Sequence, residues 1–346
     1  GGYPVARLGT GKSNFVNNAN STKLYNIYLP SSLEEINDNA FSNMSYVRTI
    51  GLATDSTRLP NVTKIGNNAF YWNNSLSAII LPETLTSIGT QAFYCCRNLS
   101  SITIPSSITE FGTNIFSGCT NLYTVTLNEG LTQIGEGMFA NTYISSITLP
   151  STITTINNSA FSNSRLSTIN LPEGLTTIGN SAFSGCRYLQ TITFPTTIEK
   201  LGEGVFSSSG LTSVTLPDNI TEIPNSIFYN CTSLSNVTIP STVTIIGDGA
   251  FGSCTNLKTI SSMENITTIG NTAFYNCSNL TNFKIGSGIE KIGINALFNV
   301  KDTYINKEEG TVEIGSGNNG QIHYLNCTHK INIATLEGIK IVNADT

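Results

Sequence analysis

The sequence predicts a repeat solenoid. It should have a parallel β-sheet on one face, short helical or 3-10 turns on the other, and about 12 repeats of 22–23 residues. Three observations carry that prediction. A phenylalanine recurs at 41, 70, 93, 116, 139, 161, 183, 206, 228, 251 and 274, and Leu297 fills the same place in a twelfth unit. Before each of these lies a stretch of alternating apolar residues. Between stretch and phenylalanine, turn-forming residues recur at fixed positions. Self-similarity at such a period is the signature of stacked units, none of which can bury its apolar side alone.

Within one unit, "LSNVTIP" (Leu234 to Pro240) alternates Val237 and Ile239 with outward-facing residues, the period of a strand with one buried face. Valine, isoleucine and threonine favour that conformation. Proline follows in eight units, such as Pro105 and Pro240, and ends the strand because it has no N–H to donate. A second apolar pair comes next, as at Val243 and Ile246. It is followed by glycine in nine units (Gly66, Gly89 and Gly112 among them), by Asn37 and Asn157 in two, and by Pro224 in one. Glycine and asparagine tolerate positive φ, so a sharp bend is expected there. The closing "xxAF" reads as a short helical turn whose phenylalanine fills the interior.

The interval from Phe41 to Phe70 carries six extra residues within 53–61. The unit at Leu257 has Ser262 and Met263 where a strand residue and proline are expected, so that coil should be slightly deformed. The domain reading is a cap over 1–23, a solenoid over 24–300, and a C-terminal β-rich cap or further segment over 301–346. An end coil would otherwise expose its core. "TVEI" (311–314) and "IKIV" (339–342) are strand-like pieces of that last segment.

The units "CTNLYTVTLNEGLTQIGEGMF" (Cys119 to Phe139) and "CTSLSNVTIPSTVTIIGDGAF" (Cys231 to Phe251) resemble the leucine-rich repeat. More narrowly, they are similar to the BspA-like class of microbial surface proteins. The resemblance covers about 24–297. It implies a right-handed α/β-type coil, an extracellular or cell-surface location, and a secreted or surface-attached adhesion module. The implied partner is a protein or a host matrix or cell-surface ligand.

Composition narrows the chemistry. Charged residues are 11% of the chain and the net charge is −5, against about 25% charged residues in ordinary soluble proteins. With no basic run, nucleic acid is not expected as a partner. No apolar run reaches the roughly 18 residues of a membrane span, so insertion is not expected. The chain opens Gly1-Gly2-Tyr3, as a trimmed or mature form would. A monomer is expected.

Six cysteines (96, 119, 186, 231, 254 and 277) sit three residues after the unit phenylalanine. Adjacent coils approach disulfide distance. Three consecutive cysteines cannot all pair, however, and Cys186 has none beside it, so the column reads as small buried side chains. Cys95 should point elsewhere. His323, Cys327 and His329 would share a strand face, but their spacing matches no four-ligand zinc template. No metal, cofactor or catalytic residue is assigned, and enzymatic activity is not expected.

The exposed sheet positions are neutral and polar. Binding hot spots favour Tyr, Trp and Arg. The candidate partner-binding residues are therefore Tyr25, Tyr28, Ile80 and Tyr123, in the N-terminal third of the concave sheet. Tyr71, Trp72, Tyr94, Tyr229 and Tyr275, near the closing turn, read as half-buried spacers. Two alternatives are a structural stalk without a specific ligand and an ice-binding array built on pairs such as Thr124/Thr126 and Thr191/Thr193.

Overall fold

A computed structural model describes residues 7–8, 24–306, 312–319, 321–325 and 341–343. The chain forms two compact units, Gly1–Gly174 and Leu175–Thr346. Each is a stack of parallel β-coils.

In the first unit the long strands pair in parallel, in register. Ser101–Ile104 lies beside Thr124–Leu127, with Ile102 opposite Val125 and Ile104 opposite Leu127. Along Ser101–Ile104 burial alternates residue by residue, as the apolar period requires. Two-residue strands build a second ladder through Glu35–Ile36, Lys64–Ile65, Ser87–Ile88 and Glu110–Phe111. The second unit repeats the scheme in Ser213–Thr215, Asn236–Thr238 and Thr259–Ser261. Past Val300 the parallel pairing continues from Phe283–Ile285 through Asp302–Asn306 and Gln321–Leu325 to Ile341–Asn343. Ser262 takes positive φ directly after its strand, and Met263 is buried in the proline position.

The phenylalanines stand inside, as expected. Phe70, Phe93 and Phe116 are fully buried. Their rings stack at 4.8 and 5.2 Å, within 11° of parallel. In the second unit Phe206, Phe228 and Phe251 repeat this at 5.7 and 5.5 Å. Such pairs contribute about 0.5–1.5 kcal/mol each beyond area burial.

The closing segment is not helical. Among the described residues it is a run of tight turns. The reason lies in the backbone donors. Asn68, Phe70 and Trp72 donate forward to Thr90, Ala92 and Tyr94 of the next coil. The intervening Tyr71 and Asn73 bond back three residues, to Asn68 and Phe70. An α-helix needs all of these N–H groups for bonds four residues back. Here every second one holds the neighbouring coil instead.

The recurring glycines such as Gly66, Gly89 and Gly112 do not take positive φ either. That conformation falls two residues later, at Asn68, Gln91 and Asn114 (φ 52°, 55° and 56°). At Gly66, Gly89 and Gly112 glycine precedes it because the preceding coil comes too close for a side chain. A Cβ on Gly89 would lie 2.5 Å from the Asn67 backbone nitrogen. The residue after glycine explains this approach. Asp38 Oδ1 accepts the Asn67 N–H at 2.7 Å, and Asn67 Oδ1 accepts the Thr90 N–H at 2.8 Å.

The cysteine column is buried and free of disulfides among the described residues. It does more than fill space. The thiols of Cys96 and Cys119 donate to the carbonyls of Phe70 and Phe93 at 3.2 and 3.1 Å, and Cys254 donates to Phe228 at 3.1 Å. Where cysteine is missing, Thr142, Ser164 and Ser209 occupy the buried position. Burial pushes the Cys231 thiol up to about 11.

Candidate partner-binding face

The four residues singled out in the sequence fall into separate groups of the first unit. Tyr25 is exposed, with the Arg48 guanidinium 5.2 Å above its ring. Tyr28 is 60% exposed and sits opposite Gly51 in the strand register. Ile80 is exposed, but its backbone is engaged by the insertion: it donates to Thr57 at 2.7 Å and accepts from Leu59 at 3.0 Å. Tyr123 lies four coils from Tyr25, about 19 Å at sheet spacing. It forms a second group with Tyr143, ring centroids 6.2 Å apart, and Arg165, whose guanidinium lies 3.6 Å from the centre of the Tyr143 ring.

The insertion buds from the strand Thr49–Leu52. It folds over Gly51, where a Cβ would lie 2.7 Å from the backbone oxygens of Ser56 and Arg58. Asp55 accepts from the Thr57 hydroxyl at 2.8 Å and the Thr57 N–H at 3.1 Å. Those bonds hold its carboxyl below the usual range.

A more concentrated cluster stands on the closing turns. Two positions after each phenylalanine the backbone takes positive φ. Asn141, Asn163, Ser208, Asn230 and Asn276 fill that column elsewhere, as its geometry favours. In two adjacent coils the occupants are Trp72 (φ 58°) and Cys95 (φ 57°). A bulky side chain there is strained by about 1–2 kcal/mol. Beside Trp72, Tyr71 stacks on Tyr94 at 5.3 Å and 11°. Tyr71 also meets Trp72 at 6.2 Å. The Arg97 guanidinium lies 5.1 Å over the Trp72 ring. Trp72 is 37% exposed, while Cys95 is buried next to Gly118 and its thiol is pushed up by burial.

Read singly, Tyr71, Trp72 and Tyr94 look like spacers; together with Arg97 they are contiguous. The signal in the sequence was the column itself. Tryptophan and cysteine break a run of Asn, Gly and Ser. Arg97 carried no mark of its own, because its contact depends on the turn.

His323 stacks on Tyr304 at 4.7 Å and lies 3.4 Å from Asp302 Oδ1. Cys327 and His329 lie outside the described residues. Among the described residues no helix is long and apolar enough to cross a membrane.

The model of the BspA type leucine-rich repeat region matches residues 12–59, 53–167, 154–278 and 245–341. A leucine-rich repeat protein from Bacteroides ovatus is 27% identical, with 82% of this chain and 79% of that one covered, at a TM-score of 0.63. A leucine-rich cell surface protein from Faecalibacterium prausnitzii is 28% identical, with 88% of both chains covered, at 0.59. The pneumococcal vaccine antigen PcpA shares the fold at 18% identity, with 98% of this chain and 79% of that one covered, at 0.51. No curated protein matches the chain.

Proposed function

The chain belongs to the BspA-type leucine-rich repeat family, and from that premise we propose that it is a surface-displayed interaction module. It would bind a macromolecular partner, a protein of the extracellular matrix or of another cell's surface. The observation that carries this reading is the Tyr71–Trp72–Tyr94–Arg97 cluster. Three of the residue types that dominate interface energetics meet there in one group, with Trp72 and Arg97 exposed and the two tyrosines half-buried. The strain at Trp72 supports it. A tryptophan in a column suited to asparagine carries backbone strain, and its ring meets Tyr71 and Arg97 at the surface and not the core, the pattern expected where function sets the residue.

A surface location accords with the relative from Faecalibacterium prausnitzii, described as a cell surface protein. The reading is one of binding rather than catalysis. The experiment is a solid-phase assay of the folded chain against a panel of matrix and cell-surface proteins, with Arg97→Ala as comparison. Binding by the parent that weakens in the variant supports the proposal. If no member of the panel is bound, the stalk reading gains instead.

A further inference from the structure

The second unit contains a cavity that the family resemblance does not explain. It has a volume of about 540 Å³ and opens between residues 191–196 and 213–219. Its origin is visible in the sequence. Phe194 occupies the place held by Leu216 and Ile239 in the next two coils. Those two are buried to 2% and 1% exposure, whereas the larger Phe194 ring stays half-buried, edge-on to Phe206 at 6.0 Å. Residues 190–196 form no strand, while Ser213–Thr215 pairs with Asn236–Thr238. The two coils are joined near the ends of the opening. Thr212 N–H donates to Gln190 at 3.0 Å, and Asn219 Nδ2 donates to Thr196 at 2.7 Å. Between these bonds the coils part.

We propose that this opening is a binding site for a neutral carbohydrate of one or two sugar rings. Its volume lies within the roughly 300–1,000 Å³ of small-ligand sites. The lining mixes the hydroxyls and amides of residues such as Thr193, Thr215 and Asn236 with apolar groups, Phe194 and Pro195 among them, and Asp218 is its one carboxylate. No lysine, arginine or histidine lines it. A phosphate, sulfate or carboxylate ligand would therefore lack the cationic partner such groups require.

The hydroxyls of Thr193, Thr215 and Thr238 are exposed and bond to no other described residue. Thr197 and Thr242, by contrast, turn their hydroxyls to the backbone, donating to Leu175 at 2.7 Å and to Ile220 at 2.8 Å. A free hydroxyl both donates and accepts. A row of them beside an aromatic edge matches a sugar, which presents hydroxyls around its rim and C–H groups on its faces.

The test is backbone amide NMR of the whole chain. It would be titrated into the tens of millimolar with maltose, lactose, cellobiose and N,N′-diacetylchitobiose, with sialic acid as the charged control. At least one neutral disaccharide is expected to shift residues 191–196, 213–219 and 236–238, and sialic acid none of them. Thr215→Val, which removes a hydroxyl from an exposed strand position, should weaken that binding about tenfold. Phe194→Leu, which restores the repeat's own residue, should abolish it by closing the opening. Three results would overturn the site: no neutral saccharide shifts these residues; both variants bind as the parent does; or a strand-forming Thr/Val peptide shifts them and no sugar does. The aromatic cluster belongs to the first unit, so either site can fail without the other.

Discussion

The Cys277 thiol donates a hydrogen bond to the Phe251 carbonyl of the preceding coil, at 3.1 Å, inside a fully buried core. This one contact states how the column works. A small side chain fills the gap behind the ring and adds a second hydrogen bond to a buried carbonyl that already accepts the Cys254 N–H at 3.0 Å. Cys277→Ala should cost about 0.5–1.5 kcal/mol, because it removes that second bond while the carbonyl keeps the one from Cys254 N–H. Cys277→Ser keeps a donor, as Ser164 and Ser209 do in their own coils, and should stay within about 1 kcal/mol of the parent. Urea melts of the two variants separate the roles; equal losses would mean that only volume matters.

The same thiol makes stability depend on alkaline pH. Burial raises it from 9.0 to about 12. The unfolded chain therefore loses this proton above about pH 9 while the folded chain keeps it, so stability falls as pH rises. The slope should be about 1.4 kcal/mol per pH unit for such a thiol. Below pH 9 the contribution is constant. Denaturant midpoints measured on both sides of that value should converge for Cys277→Ser relative to the parent. An unchanged alkaline slope in the variant would count against burial as the cause.

Two glycines of different origin should respond differently to alanine. Gly89 faces the Asn67 backbone nitrogen at 2.5 Å from its would-be Cβ. Gly204 has φ +60° but room around it, its nearest neighbour being Ser181 Oγ at 3.4 Å. Gly204→Ala should lose about 1–2 kcal/mol from backbone strain alone. Gly89→Ala should lose more, since two backbones must move apart. Thermal melts giving the reverse order would refute the close-approach account.

Phe183 stacks on Phe206 at 5.7 Å and is fully buried. Phe183→Ala should cost about 3–5 kcal/mol. Phe183→Leu should cost less, because Leu297 already serves in that column. A parent-like melt for the alanine variant would show that the ring is not part of the core.

The coil was legible in the sequence because its cause is local and repeated. The spacing of Phe93, Phe116 and Phe139 and the alternation in "LSNVTIP" each state one physical need. The closing turn was misread as helical because its hydrogen bonds run to the next coil, and sequence shows only neighbours along the chain. Gly89 was misassigned for a related reason: a tight approach and a positive φ both select glycine. The site was harder still. Tyr71, Trp72, Tyr94 and Arg97 meet only through the stacking of two coils, and the opening at Phe194 depends on a ring too large for its slot.

Trp72→Asn tests the account most directly. Asparagine suits φ 58°, so the variant should melt with the parent or up to about 1 kcal/mol above it. Its affinity for a partner bound by the parent should fall by about thirtyfold, or 2 kcal/mol. Biolayer interferometry against that partner, beside a thermal melt, gives both numbers. Undiminished affinity in the well-folded variant would contradict the claim that this cluster is the binding face.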